Sequence, residues 1–453
     1  MTSNSARARR LAGTLYAYAF LTDLVLLYPV YALLFADTGL SIAQISSLFV
    51  IWSLTGIALE VPCGAWADAT SRRWMLCLAP LCTAAGFALW TLAPSYPAFA
   101  VGFVLWGAGG ALASGATEAL IFDELDRLDA ADRYARVIGR ARTAGTVGVL
   151  GAIVLASPVL GLAGYPAVGA ASVAACLLAA GVATRFPEHR RRRAEPAVVC
   201  AGAAVVDVLG TADGATGRPP DDTQADDLRW WPELRAGVAE VRADRAVRAA
   251  VLLVAAVTAV WGALDEYTPL LARDTGVPLM AVPLLLLIVT VGQVAGGLLA
   301  PVGERLRTCG YAVLLACSAL ALAFGALLGR PAGFLLVAVA FCGLQLASVL
   351  AEARLQARIS GPARATVTSL AGMGTDLTII AVYVGYGLVA TVAGNAVAFA
   401  VAAVPYLLVA AALIKSARAR RPSEPGRAGR ASGAAVPAPV RIDGTGQPWS
   451  SSR

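Results

Sequence analysis

Residues 64–73 read Gly64-Ala65-Trp66-Ala67-Asp68-Ala69-Thr70-Ser71-Arg72-Arg73. This short charged stretch is bracketed by two apolar runs, at about 41–63 and about 74–92. A helix needs about 20 apolar residues to cross a hydrocarbon core of roughly 30 Å, and each run supplies them. In lipid only helices and closed barrels satisfy their own backbone groups, so a polar turn between two such runs joins a membrane-spanning hairpin. The pattern repeats in both directions. One run precedes it at about 11–35. Nine follow, at about 98–122, 144–163, 167–184, 248–271, 281–300, 311–328, 332–353, 368–392 and 396–414. These runs explain why 58% of the 453 residues are hydrophobic and only 14% charged, where soluble chains hold about 45–50% and about 25%. The expected fold class is all-α, a polytopic membrane protein with 12 transmembrane helices.

Charge placement orients the chain. Of 36 Lys and Arg residues, only Arg273 and Arg330 fall on the side opposite the N-terminus. Basic residues gather at cytoplasmic ends of spans, so both termini are expected in the cytoplasm, with the chain multi-pass in the plasma (inner) membrane. The first run carries Asp23 and is too long for the core of a cleavable signal. The net charge of +7 lies between apolar blocks rather than on one folded face. The expected surroundings are therefore a lipid bilayer, with no nucleic-acid partner. The eight cysteines form no C-x-x-C pair, and the single histidine, His189, sits in an arginine run. No metal site, no cofactor and no catalytic residue are expected, and the chain is not expected to be an enzyme.

Four segments follow from the runs. Residues 1–184 are expected to form an N-terminal six-helix bundle and 248–416 a C-terminal one. Residues 185–247 form a cytoplasmic loop that starts on basic residues from His189 onward, at the headgroups. Its end, Trp230–Arg248, alternates apolar and basic residues and reads either as an interfacial helix or as a plain linker. Residues 417–453 read as a disordered cytoplasmic tail. The two bundles look related. Gly64 and Gly297, like Arg72 and Arg305, stand 233 residues apart, and Glu118 and Glu352 stand 234 apart, each before an alanine. Offsets this similar suggest a six-plus-six duplication and a pseudo-symmetric pair of bundles.

The stretch 64–73 resembles the motif G-x-x-x-D-x-x-G-R-[RK] that joins spans 2 and 3 in the major facilitator superfamily. Gly64, Asp68, Arg72 and Arg73 match it, and Ser71 replaces the second glycine. The C-terminal counterpart, Gly297–Arg305, has Pro301 where the aspartate belongs. The resemblance implies a gating role. Asp68 would face the positive N-terminal end of span 11, near Thr366-Val367-Thr368. Arg72 and Arg73 would pair with carboxylates ending span 4, such as Asp123 or Glu124. Plain positive-inside anchoring explains the arginines but not Asp68. Span 4 lacks an intramembrane arginine, and span 5 has Gly145, Gly148 and Gly151 but no G-P-x-x-G-G run. Both absences weigh against a drug/proton antiporter.

Ionisable groups at mid-bilayer cost about 2.5–3.5 kcal/mol each, so each needs a reason. The runs hold Asp23, Glu118, Asp265, Glu266, Glu352 and Asp376, with amides at Gln293 and Gln345. In the resembling family spans 1, 4, 7 and 10 line the central cavity, and all four carry an acid here. Asp23 and Asp376 lie deepest and are the first candidates for coupling or substrate contact. Glu118 and Glu352, near the inner ends, could instead be structural or gating. Asp265 and Glu266, near the outer end, could simply be hydrated. No Lys or Arg lies in a membrane core, which disfavours anionic substrates. The expected function is a monomeric secondary transporter. It would move a small neutral or cationic organic solute by alternating access, with protons as the coupling ion and efflux as the direction. Two alternatives remain: an importer or facilitator of a neutral metabolite, and a non-transporting sensor or scaffold.

Overall fold

The computed structural model describes residues 2–189, 244–359 and 364–419, with the side chains of 2, 3, 61, 65, 67–69, 364–366 and 419 outside the description. Residues 230–243 of the possible interfacial helix and the tail from 420 onward lie outside the described residues. The helices are α1 (Thr2–Asp23), α2 (Tyr31–Asp37), α3 (Ile42–Ala69), α4 (Arg72–Leu92), α5 (Tyr96–Arg127) and α6 (Tyr134–Ala183). After the loop come α7 (Arg245–Asp265), α8 (Thr268–Asp274), α9 (Val282–Leu298), α10 (Ala300–Gly303), α11 (Thr308–Leu327), α12 (Gly333–Gln356), α13 (Arg364–Ala402) and α14 (Val404–Ala419).

Among the described residues nine helical stretches are long and apolar enough to span a membrane, and two of these have 53 and 52 residues. A 53-residue helix would measure about 80 Å, more than twice a bilayer core. Each instead turns back on itself. The turn in α6 is at Gly164, φ 68°, and the turn in α13 is at Gly394, φ 82°. Only glycine takes such a backbone freely, and both turns fall between the apolar runs. With α1 and α2 as the first passage, the chain crosses twelve times. The face carrying residues 2 and 419 is called the terminal face below, and its opposite the far face.

The first and seventh passages are not the continuous helices that their apolar runs suggest. The first breaks at 24–30, between α1 and α2, and the seventh at Glu266 and Tyr267, between α7 and α8. A proline stands at each break, Pro29 in the first and Pro269 at the start of α8. Proline has no N–H to continue the ladder, and a chain break results. Beyond the breaks runs one seven-residue phrase twice. Leu33-Leu34-Phe35-Ala36-Asp37-Thr38-Gly39 and Leu270-Leu271-Ala272-Arg273-Asp274-Thr275-Gly276 are 237 residues apart. Each phrase ends on a glycine of positive φ, 91° and 79°.

Small residues let helices approach closely, as membrane interfaces require. Gly292 and Gly296 of α9 lie so near the backbone of Ala338 and Cys342 in α12 that an added Cβ would collide there. In the first half Gly86 of α4 meets Gly102 of α5 in the same way. The two halves touch mainly through α3 against α13 and α6 against α9.

The segment after α6 differs from its sequence reading. Phe186 is buried, edge-on to Tyr18 with ring centroids 5.7 Å apart. Glu188 accepts hydrogen bonds from Ser71 Oγ and, at 2.7 Å, from Arg72 N, so a carboxylate caps the N-terminus of α4. His189 docks on α5: its N–H donates to Glu124 Oε1 at 2.8 Å and its Nδ1 lies 3.1 Å away. Glu124 is 4% exposed, and a buried carboxylate needs such partners.

Candidate functional site

Two cavities lie between the halves and share the rings of Trp52 and Trp106. The one nearer the terminal face, about 340 Å³, takes Glu60 from α3, Ser114 from α5, and Asp376 and Tyr383 from α13. The one nearer the far face, about 330 Å³, takes Tyr28 and Tyr31, Asp265 and Glu266, and Gln293 from α9. Carboxylates thus enter from α3, α13 and the α7–α8 break. No Lys, Arg or His is among the lining residues.

The breaks in passages 1 and 7 shape the cavity nearer the far face. Asp265 ends α7 and Glu266 follows it, so both carboxyls sit at a helix C-terminus. Asp265 Oδ1 accepts from Gln293 Nε2 at 2.9 Å. On the facing wall Trp106 stacks between two rings. Tyr28 lies 5.3 Å from it at 18°, and Trp52 lies 4.6 Å from it at 19°. The hydroxyl of Tyr31 is buried without a hydrogen-bond partner among the described residues.

The other candidates are scattered. Asp23 lines neither cavity; it packs on α6, where a Cβ added at Gly145 would strike its Oδ2. Glu118 and Glu352 are exposed toward the terminal face. Glu118 Oε1 stands 3.8 Å from Arg142 Nη2. Gln345 is half-buried on α12, one turn from Ser348, whose Oγ accepts from Trp261 Nε1 at 2.8 Å. At the terminal end of α4, Arg72 Nη1 lies 2.5 Å from Asp123 Oδ2, and half-buried Arg73 follows. A Cβ at Gly64 would meet no described atom within 4 Å. Asp68 lies on α3, but its side chain and that of Thr366 lie outside the described residues, and so does their pairing.

Bonds near the far face join the halves. Arg273 Nη1 lies 2.6 Å from Asp37 Oδ1, Tyr267 Oη donates to Ser46 Oγ at 2.8 Å, and Ser157 Oγ donates to Met280 O at 2.6 Å. The repeated phrase also closes each half on itself. Tyr165 Oη, just after Gly164, donates to Asp37 at 2.7 Å. Asn395 Nδ2, just after Gly394, donates to Asp274 at 2.7 Å. Sequence reasoning passed over Glu60, Trp52, Trp106 and this far-face set. The phrase L-L-x-x-D-T-G was the signal that could have found Asp37 and Asp274.

Comparisons agree with this architecture. The sequence profile described as Major Facilitator Superfamily matches residues 14–351. No curated protein matches the chain. Among solved structures, the nucleoside transporter NupG superposes with a TM-score of 0.68 at 12% identity, covering 89% of this chain and 98% of that one. A bacterial homolog of the human lysosomal transporter Spinster, inward-facing and unoccupied, gives 0.66 at 18% identity over 90% and 96%. A D-xylose-proton symporter gives 0.60 at 16% identity over 90% and 97%. At these identities the likeness is one of fold.

Proposed function

Since the chain belongs to the major facilitator superfamily, we propose that it carries a small neutral or cationic organic solute across the plasma membrane by alternating access, driven outward by protons. The observation that carries this reading is the lining of the paired cavities: Glu60, Asp376, Asp265 and Glu266 with no basic side chain among them. Such a lining repels anions and offers sites for protons and cations alike. In this reading the bundles are 1–184 and 248–416, the terminal face is cytoplasmic, and the bonded far face gives an inward-open state. In proteoliposomes an imposed proton gradient should drive uptake of an organic cation against its own gradient. Equal rates with and without the gradient would leave a facilitator. The stacked rings of Trp52 and Trp106 would seat a neutral ring as well, and this favours the import or facilitation of a neutral metabolite as the second reading.

Two expected results test the frame. In intact cells a membrane-impermeant thiol reagent should label Arg330→Cys but not Arg191→Cys; labelling at 191 would reverse the orientation. The second concerns the charged turn after α3. Asp68→Asn removes a charge proposed to face the start of α13, an interaction worth about 0.3–1 kcal/mol and up to about 2 when partly buried. The variant should express normally and spend more time open to the cytoplasm. Unaltered cytoplasmic accessibility of Ser114→Cys in the Asp68→Asn background would discard the latch.

A further inference from the structure

We propose that the cavity nearer the far face is a subsite for a flat aromatic monocation, its ring laid against the stack of Tyr28, Trp106 and Trp52 and its charge against Glu266 and Asp265. This deepens the transport reading and rests on it for the site's purpose, but not for its chemistry. Three independent features converge on the same space.

The first is the wall of rings. Tyr28, Trp106 and Trp52 are nearly parallel, 18° and 19° apart, and Tyr31, Phe87 and Trp90 support Trp106 edge-on. Aromatic faces are electron-rich and attract cations, tryptophan most strongly. The second is the opposing negative field. Asp265 and Glu266 stand at the C-terminal end of the 21-residue α7, where the helix dipole adds partial negative charge to the two carboxyls. Asp265 accepts from the neutral amide of Gln293. Glu266 has no hydrogen bond or ion pair with a described residue, and no cation lines the space. The third is an unmet polar atom. Tyr31 is 3% exposed, lines this cavity, and its hydroxyl has no partner among the described residues.

A monocation offsets one of the two carboxyl charges, a flat ring continues the stack, and a small turn of the Tyr31 side chain would bring its buried hydroxyl to an acceptor or donor on that ring. A bare metal ion suits the site poorly. Four of the lining residues are aromatic, and among the described residues no group of three or more acidic, His or Cys side chains could hold a metal. An anion meets only repulsion. A neutral ring keeps the stacking and loses the charge term, so discrimination should follow charge at constant shape.

The test is equilibrium binding to the purified full-length protein in nanodiscs, by calorimetry. The probes are N-methylquinolinium, which is flat and permanently charged, and quinoline, which is neutral at pH 8. N-methylquinolinium should bind at least tenfold more tightly than quinoline. Glu266→Gln should weaken the cation at least tenfold and leave quinoline unchanged, while Trp106→Leu should weaken both. Should Glu266→Gln fail to fold, Asp265→Asn and the wild-type preference decide. Equal affinities in the wild type, or undiminished cation binding in a folded Glu266→Gln, would overturn the proposal. Cation binding without any transport would retire the transport reading alone. Transport of neutral solutes without cation preference would retire this site alone.

Discussion

Replacing Arg273 or Asp37 with alanine is expected to open the far face to a similar extent, and replacing Asp37 to lower the melting temperature as well. The distinction follows from what each bond joins. Either variant removes the ion pair between the halves, held at 2.6 Å with side chains 45% and 32% exposed. Pairs this exposed contribute about 0.2–1 kcal/mol, up to about a fivefold change in the opening equilibrium. Asp37→Ala also removes the hydrogen bond from Tyr165 Oη at 2.7 Å, which lies within the N-terminal half. A hydrogen bond to a charged group is worth about 1.5–3 kcal/mol, with the lower end fitting a site half open to solvent, and this loss falls on the stability of that bundle. Spin labels at Thr38 and Thr275, equivalent positions after the two repeated phrases, would report opening as a longer-distance population. That population should be small in wild type and larger, to a similar degree, in Arg273→Ala and Asp37→Ala. Identical distance distributions in all three proteins would show that other contacts hold this face shut.

Asp23→Asn should abolish accumulation under an imposed proton gradient while leaving downhill exchange intact. Asp23 is the last residue of α1, directly before the broken segment, and it packs against α6 at Gly145. It has no cation beside it and no hydrogen bond to a described residue. A lone charge there is costly, and a proton removes it. Its contacts also change whenever α1 and α6 shift against each other, and this links proton occupancy to conformation. An amide has nearly the same volume and no charge, so the fold should survive. Accumulation should fall at least tenfold, to the level of passive distribution. Asp376→Asn, in the cavity with Glu60, should show a weaker form. Wild-type accumulation in Asp23→Asn would remove Asp23 from the coupling path, and wild-type accumulation in the double variant would favour a facilitator.

Much of the fold was legible because hydrocarbon thickness dictates run length. Each apolar run became one passage, and the reversals at Gly164 and Gly394 fell between runs. The breaks in passages 1 and 7 were not legible, because Pro29 is tolerated within many membrane helices and hydropathy does not register a kink. Asp37 and Asp274 were missed for a different reason. Their offset of 237 differs from the 233 and 234 of the other matched pairs, so insertions between repeats hide the phrase from a single-offset search. Glu60 sits near the end of an apolar run and reads there as an ordinary flank. Trp52 and Trp106 belong to different passages, and only the packing of α3 on α5 makes them a stack. Among the acids, the sequence grouped by span what the structure groups by cavity: Asp376 with Glu60, and Asp265 with Glu266.

The repeated phrase is symmetric in its aspartates but not in the residue before them. Asp37 and Asp274 each staple the closing hairpin of their own half, through Tyr165 and Asn395. Only the second copy has an arginine, Arg273, where the first has Ala36. Arg273 thus serves adhesion between halves, Asp274 cohesion within its own half, and Asp37 both. Heat resistance and resting posture become separately adjustable quantities. Substitutions at position 273 should alter how long the carrier dwells in each posture with little change in melting temperature. Those at 274 should lower the melting temperature alone, and those at 37 should do both. A duplicated frame that differs at one position in this way can have its working cycle retuned without its bundles being loosened.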